Sequence, residues 1–185
     1  MSEPAQDRLI TGEEHFRMGD VGPCELIDGR IRPLTPTSAK HGAIELTLGR
    51  HLANYVDAND LGQVLVGEVG ICTRRNPDRV RGADIVYLSR AQVAQGMPDG
   101  FLKMAPELIV EIISPSDRWQ DVREKVDEYF AIGVRSVWIV EPKSRQVLVY
   151  SDPTACVKLE AKDTLCGSGD LSAFEMPVAA IFRGV

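Results

Sequence analysis

The run Leu108-Ile-Val-Glu-Ile-Ile113 restricts the fold more than any other stretch of the sequence. A nearly continuous apolar run of this length fits a central strand buried on both faces. Such a strand needs neighbours at both edges and packed layers above and below. Ser114-Pro115-Ser116-Asp117 ends the run, and Trp119 to Ile132 reads as a helix closed by Gly133 at its C-terminal position. Ser136 to Glu141 then returns as a strand. A strand-helix-strand unit over residues 108 to 140 implies a right-handed parallel crossover, and hence a mixed sheet with helices packed on it.

The other elements fit this frame. Thr11-Gly-Glu-Glu14 has capping-box spacing and opens a short helix toward Met18. Cys24 to Ile31 reads as a hairpin turning at Asp28-Gly29. Thr37 or Ser38 caps a helix to about Val56, with Ile44, Leu48, Leu52, Tyr55 and Val56 at helical spacing. Gly62 to Thr73 and Val80 to Leu88 are expected to pair antiparallel across the Asn76-Pro77-Asp78 turn, and Gln146 to Tyr150 is a last strand. The 185 residues suit one α/β domain over 1–185, with neither internal repeats nor low-complexity segments.

Three residues break the pattern of these core elements. Glu111 interrupts the buried strand, where an ionised carboxylate is costly unless it is paired or bound to a metal. Asp84 stands in mid-strand in Ala83-Asp-Ile-Val-Tyr87, where Asp has poor β propensity. Projected at about 100° per residue, Lys125 falls inside the apolar stripe of Trp119, Val122, Val126, Tyr129, Phe130 and Ile132. Each has an ordinary structural reading: a satisfied buried Glu, a strand-end Asp, a snorkelling Lys. Together, two hard carboxylates suit Mg²⁺ or Mn²⁺, and a lysine beside them can orient or deprotonate a water and offset charge developing on a phosphate.

Composition limits the partners. A net charge of −6 and a pI near 5.1 exclude a molecule that binds nucleic acid by overall charge. A nucleic acid would have to be held locally, and Arg74, Arg75, Arg79 and Arg81 around the turn are the local basic candidate, with a solvated turn as the ordinary alternative. The scattered Cys24, Cys72, Cys156 and Cys166 suggest neither zinc nor a disulfide framework. No stretch is apolar for long enough to span a membrane, and the polar Met1 to Arg8 lacks a signal-peptide core, so a cytoplasmic location is expected.

The constellation and the helix-strand-strand-strand-helix-strand order resemble the PD-(D/E)XK nuclease superfamily, and within it the Uma-type family of restriction endonucleases. The likeness is carried by Leu9 to Glu14, Glu25 to Ile31, His41-Gly42, Arg81 to Val86, Pro106 to Ser116, Lys125 with Tyr129, Gly133-Val134, Val137 to Pro142 and Ala179 to Phe182. It implies a restriction-endonuclease-like core in which Asp84 and Glu111 hold Mg²⁺ or Mn²⁺, with the Ile112 carbonyl completing the set. Two positions depart from the family pattern: Ile113 stands where the superfamily's Lys is usual, so Lys125 would supply it from the next helix, and Ala83 replaces Pro. Glu25 and His41 lie in shared segments, and His41 falls on its helix's apolar stripe with Glu45. Glu68 could join the acidic cluster or lie exposed on its strand, while His15 and His51 carry no signal.

The expected activity is metal-dependent hydrolysis of a nucleic-acid phosphodiester, with DNA as the partner and a homodimer for double-strand cutting. The rival readings are a catalytically silent binding or assembly module on the same fold, and a structural carboxylate–lysine pair without metal.

Overall fold

The computed structural model describes residues 8–115 and 117–185. Residues 1–7 of the polar N-terminal stretch, and Ser116 in the turn expected to end the central strand, lie outside the described residues.

The chain runs α1 (Gly12–Arg17), β1 (Cys24–Ile27), β2 (Arg30–Pro33), α2 (Ala39–Ala58), β3 (Gly62–Arg74), β4 (Arg79–Ser89) and α3 (Arg90–Val93). It continues with β5 (Leu108–Ile112), α4 (Trp119–Ala131), β6 (Ser136–Glu141), β7 (Gln146–Tyr150), β8 (Cys156–Leu159) and β9 (Thr164–Cys166). A 3-10 turn (Gly169–Leu171), β10 (Glu175–Pro177) and α5 (Val178–Ile181) complete it. Thr11 caps α1 with the expected capping box, and Ser38 caps α2 by accepting the His41 amide. Asp28 and Gly29 both have positive φ, the backbone a two-residue hairpin turn requires, and this joins β1 to β2.

Eight strands form a mixed sheet in the order β2-β1-β4-β5-β6-β7-β8, with β3 also pairing with β4. The crossover from β5 through α4 to β6 is parallel, as the sequence predicts, and the other strand pairs are antiparallel. Side chains of β5 alternate between faces. Leu108, Val110 and Ile112 pack with Ile44, Leu48 and Leu52 of α2, whereas Ile109 joins Val122, Val126 and Tyr129 of α4.

Residues 151–185 have no element in the sequence reading, yet they form β8 to α5. Leu165, Leu171, Phe174, Met176, Val178, Ile181 and Phe182 close the core on the α2 face. Their strands of three and four residues are too short to show a period.

Two irregularities meet at one residue of β4. Pairing of β3 with β4 jumps from Val66↔Ile85 to Val69↔Ala83, so Gly67 and Glu68 bulge opposite Asp84, both at positive φ. On the other edge, β4 pairs with β5 only from Ile85↔Val110 to Tyr87↔Leu108. Asp84 therefore sits where both ladders are interrupted.

Leu52 is fully buried in the layer joining α2 to the sheet. Leu52→Ala is expected to lower unfolding stability in urea by about 2–5 kcal/mol. A loss well under 1 kcal/mol would show that α2 is not packed in this way.

Candidate active site

Asp84 fills the gap where β4 and β5 part. The Ile112 N–H, released from the ladder, donates to Asp84 Oδ2 at 2.6 Å. Oδ1 lies 3.2 Å from His41 Nε2 in the first turn of α2. His41 and Asp84 are both buried, and Glu45, one turn further along α2, completes a group whose ligand atoms lie within 4.8 Å of one another. Glu45 also accepts the Gly67 amide of the bulge at 2.9 Å, tying α2 to β3.

Glu111 faces the other side, toward α4. Tyr129 Oη donates to its Oε1 at 2.5 Å and Lys125 Nζ donates to its Oε2 at 3.1 Å. Lys125 also donates to the Gly82 carbonyl at 3.2 Å and pairs with Glu25 Oε1 at 3.0 Å. The helix thus delivers the lysine to the carboxylates, as its place in the apolar stripe anticipates. Glu25 sits on β1, which joins the main sheet through Leu26↔Val80, and it also takes the Gly82 amide and Arg81. Glu68 is exposed as a residue, but the bulge turns its carboxylate onto Gly82, where an added β-carbon would collide with it.

The electrostatics follow from this crowding. Burial pushes the Glu111 carboxyl up to about 7, with Asp84 and Glu25 adding to the rise and Lys125 and Tyr129 opposing it. Glu68 and Glu45 are raised by burial and then by Asp84. Burial works against charge on His41 and Lys125, yet the carboxylates prevail and hold both above their ordinary values: Asp84 first for His41, Glu111 and Glu25 for Lys125. These carboxylates favour the charged ammonium of Lys125, which suits it to donate and to counter charge.

A divalent cation fits this donor set. Buried carboxyls whose ionisation lacks full compensation, all with hard oxygens, are what Mg²⁺ or Mn²⁺ would neutralise. Asp84 groups with His41 and Glu45 on the α2 side, and its charge also acts on Glu111 on the α4 side. A cavity of about 430 Å³ lined by Glu25, Arg81, Glu111, Ile112 and Lys125 gives access from outside.

The arginine-rich turn differs from the free basic patch the sequence suggests. Arg81 is only 6% exposed and makes a fork with Glu128 at 2.7 and 2.9 Å, besides its bond to Glu25 at 3.0 Å. Arg79 binds Asp28, Glu124 and Glu128, Arg75 binds Glu13 and Asp78, and Arg74 binds Asp28. The four guanidiniums are committed to carboxylates that dock α1, the β1–β2 turn and α4. Apart from Asp78, three residues from Arg75, those partners are remote in sequence, so the local run of arginines gives little sign of them.

The sequence reading also missed three features. Neither Glu45, noted beside His41, nor Tyr129, noted on the apolar stripe and beside Lys125, is given a role at the site by the sequence. Trp119 is expected on the buried stripe but is 41% exposed, because the first turn of α4 overhangs a groove beyond the end of β5.

The family model named Uma2, described as "Putative restriction endonuclease", matches residues 13–179. The fold is similar to the crystal structure of a protein from Anabaena variabilis described as a putative nuclease of the DUF820 family. That match has a TM-score of 0.79 and 19% sequence identity, and covers 94% of this chain and 98% of the other. No curated protein matches the chain.

A carboxyl raised by folding stabilises the fold fully below its unfolded value, about 4.5, and that contribution is lost as pH rises through about 7. In EDTA, wild-type protein should therefore lose stability relative to Glu111→Gln between pH about 4.5 and 7, measured by urea denaturation. Parallel pH curves for the two proteins would contradict this placement of Glu111.

Proposed function

The chain belongs to the Uma2 family, described as "Putative restriction endonuclease", and from that premise we propose that it hydrolyses phosphodiester bonds of nucleic acid at the Asp84–Glu111–Lys125 centre. The observation that carries the reading is the meeting of Asp84, in the gap between β4 and β5, with the Ile112 backbone and the Glu111–Lys125 pair beside it. A structural ion pair alone would not call for the further carboxylates Glu25, Glu45 and Glu68 around it, each adding repulsion.

In this reading Asp84 and Glu111 hold Mg²⁺ or Mn²⁺, with the Ile112 backbone alongside, and His41 and Tyr129 orient the two carboxylates. The bound ion would supply Lewis-acid polarisation of a phosphoryl oxygen and a water of lowered pKa. Lys125, fixed by Glu25 and Glu111, orients the attacking water and donates toward the charge that grows on the phosphate. The proton released from water passes to a neighbouring carboxylate, for which Glu68, turned onto Gly82 by the bulge, is the candidate. Glu25 acts as a positioning residue, since it holds Lys125 and Arg81 together. DNA is the substrate we favour. A homodimer would present two such centres.

Cleavage of plasmid and single-stranded DNA in Mg²⁺ or Mn²⁺ tests the reading. Asp84→Asn, Glu111→Ala and Lys125→Ala should each lower the rate by roughly 100-fold or more. Equal rates in wild type and all three variants would overturn it.

A further inference from the structure

The arginines of the β3–β4 turn are each already paired with carboxylates of this chain, so a polyanion approaching this acidic protein gains most from cations elsewhere. A second groove, of about 410 Å³, opens on the α2 side of the same centre, and His41 lines it. Ile113 and Asp117 line both this groove and the cavity over Glu111, so the two are continuous around the end of β5. His41 is 5% exposed, and its Nδ1, 3.9 Å from a Glu45 oxygen, has no hydrogen-bond partner among the described residues. Exposed Trp119 forms one wall, and Lys40 and Lys143, both exposed, stand at the groove. Of all described ion pairs, none involves Lys40 or Lys143.

The anionic side chains of the groove are turned to local duties. Asp117 accepts the Ser114 amide at 2.7 Å, and Glu141 accepts from Ser144 and Gln146. Arg145 donates to the Phe182 carbonyl at 2.9 Å and lies over that residue's ring. What remains available is one aromatic face, two ammonium groups, and the N-terminus of α2, whose dipole favours an anion. An aromatic side chain that stacks a base, with basic groups that follow the backbone, is the arrangement that holds single-stranded nucleic acid without reading its sequence.

We infer that the groove between Trp119 and Lys143 binds an unpaired nucleotide next to the scissile phosphate, Trp119 stacking its base and Lys40 and Lys143 meeting its flanking phosphates. This rests on the nuclease reading and narrows its substrate class to single-stranded nucleic acid, or to an unpaired end or flap. A base inside a duplex is already stacked on its neighbours and cannot lie against Trp119 without leaving the helix. The base then lies at Trp119, and its phosphate points around the end of β5 toward the cavity over Glu111.

Trp138 is 1% exposed, so added nucleic acid can reach only Trp119 among the chain's two tryptophans. The test is fluorescence titration of the intact protein in EDTA, where no cleavage occurs, with oligodeoxythymidylate, oligouridylate and a blunt duplex of equal length. Emission should be quenched by the single strands and far less by the duplex, and the two single-stranded arms show which sugar is preferred. Trp119→Ala should weaken single-strand binding about tenfold, followed by anisotropy of a labelled strand, while Trp119→Phe keeps most of it. Lys40→Glu/Lys143→Glu should weaken binding and reduce the slope of log affinity against log salt by roughly 1.4. All three positions are exposed, so these proteins should fold normally.

Unchanged emission, or affinities of Trp119→Ala and the double lysine variant within twofold of wild type, overturns the groove. If single strands bind all variants equally while metal-dependent cleavage persists, the groove assignment fails and the nuclease reading stands. If the groove binds as expected but no metal supports cleavage, the nuclease reading fails and a nucleic-acid-binding module on this fold remains.

Discussion

The Ile112 amide donating to the Asp84 carboxylate is the contact on which the arrangement turns. Two neighbouring core strands cannot part inside a protein without leaving polar backbone groups unpaired, and an unpaired buried amide is costly. Asp84 accepts that amide, so the strands can separate without that penalty. The bulge at Gly67 and Glu68 relieves the opposite edge of Asp84, with Glu45 satisfying the bulge amide. The separation makes room for Lys125 to reach the sheet from α4.

Charge distribution then divides the molecule. Around Asp84 the carboxylates outnumber the cations, and burial drives several of them toward protonation, the condition a divalent ion relieves. Around the β3–β4 turn no guanidinium is left unmatched, because Arg74, Arg75, Arg79 and Arg81 each meet at least one acidic partner. That second network is architectural: it fastens the N-terminal helix and hairpin to the sheet and so keeps Glu25 in reach of Lys125. Replacing Arg81 would strand the buried carboxylate of Glu25 and the half-buried one of Glu128 rather than simply remove a surface charge.

Much of this was legible in the sequence, for reasons that are physical. A carboxylate in an apolar strand and a lysine in an apolar helical stripe are violations of patterning, and both proved to face each other across α4 and β5. The hairpin turn at Asp28-Gly29 and the caps at Thr11 and Ser38 are encoded within a few residues. What was not legible depends on contacts between remote segments. The arginines read as a basic patch because, Asp78 apart, their hydrogen-bonded carboxylate partners lie 45 to 62 residues away in the chain. Glu68 reads as an ordinary strand residue until the bulge is known, and Trp119 reads as core until β5 is seen to end before reaching it.

The central claim is that Asp84 and Glu111 share one divalent ion at the gap between β4 and β5. Anomalous diffraction from crystals soaked in Mn²⁺ addresses it most directly. The account predicts a manganese peak within coordinating distance of both carboxylates, lost in crystals of Glu111→Ala. A peak held by His41, Glu45 and Asp84 that survives Glu111→Ala, or the absence of any peak near Asp84, would contradict it.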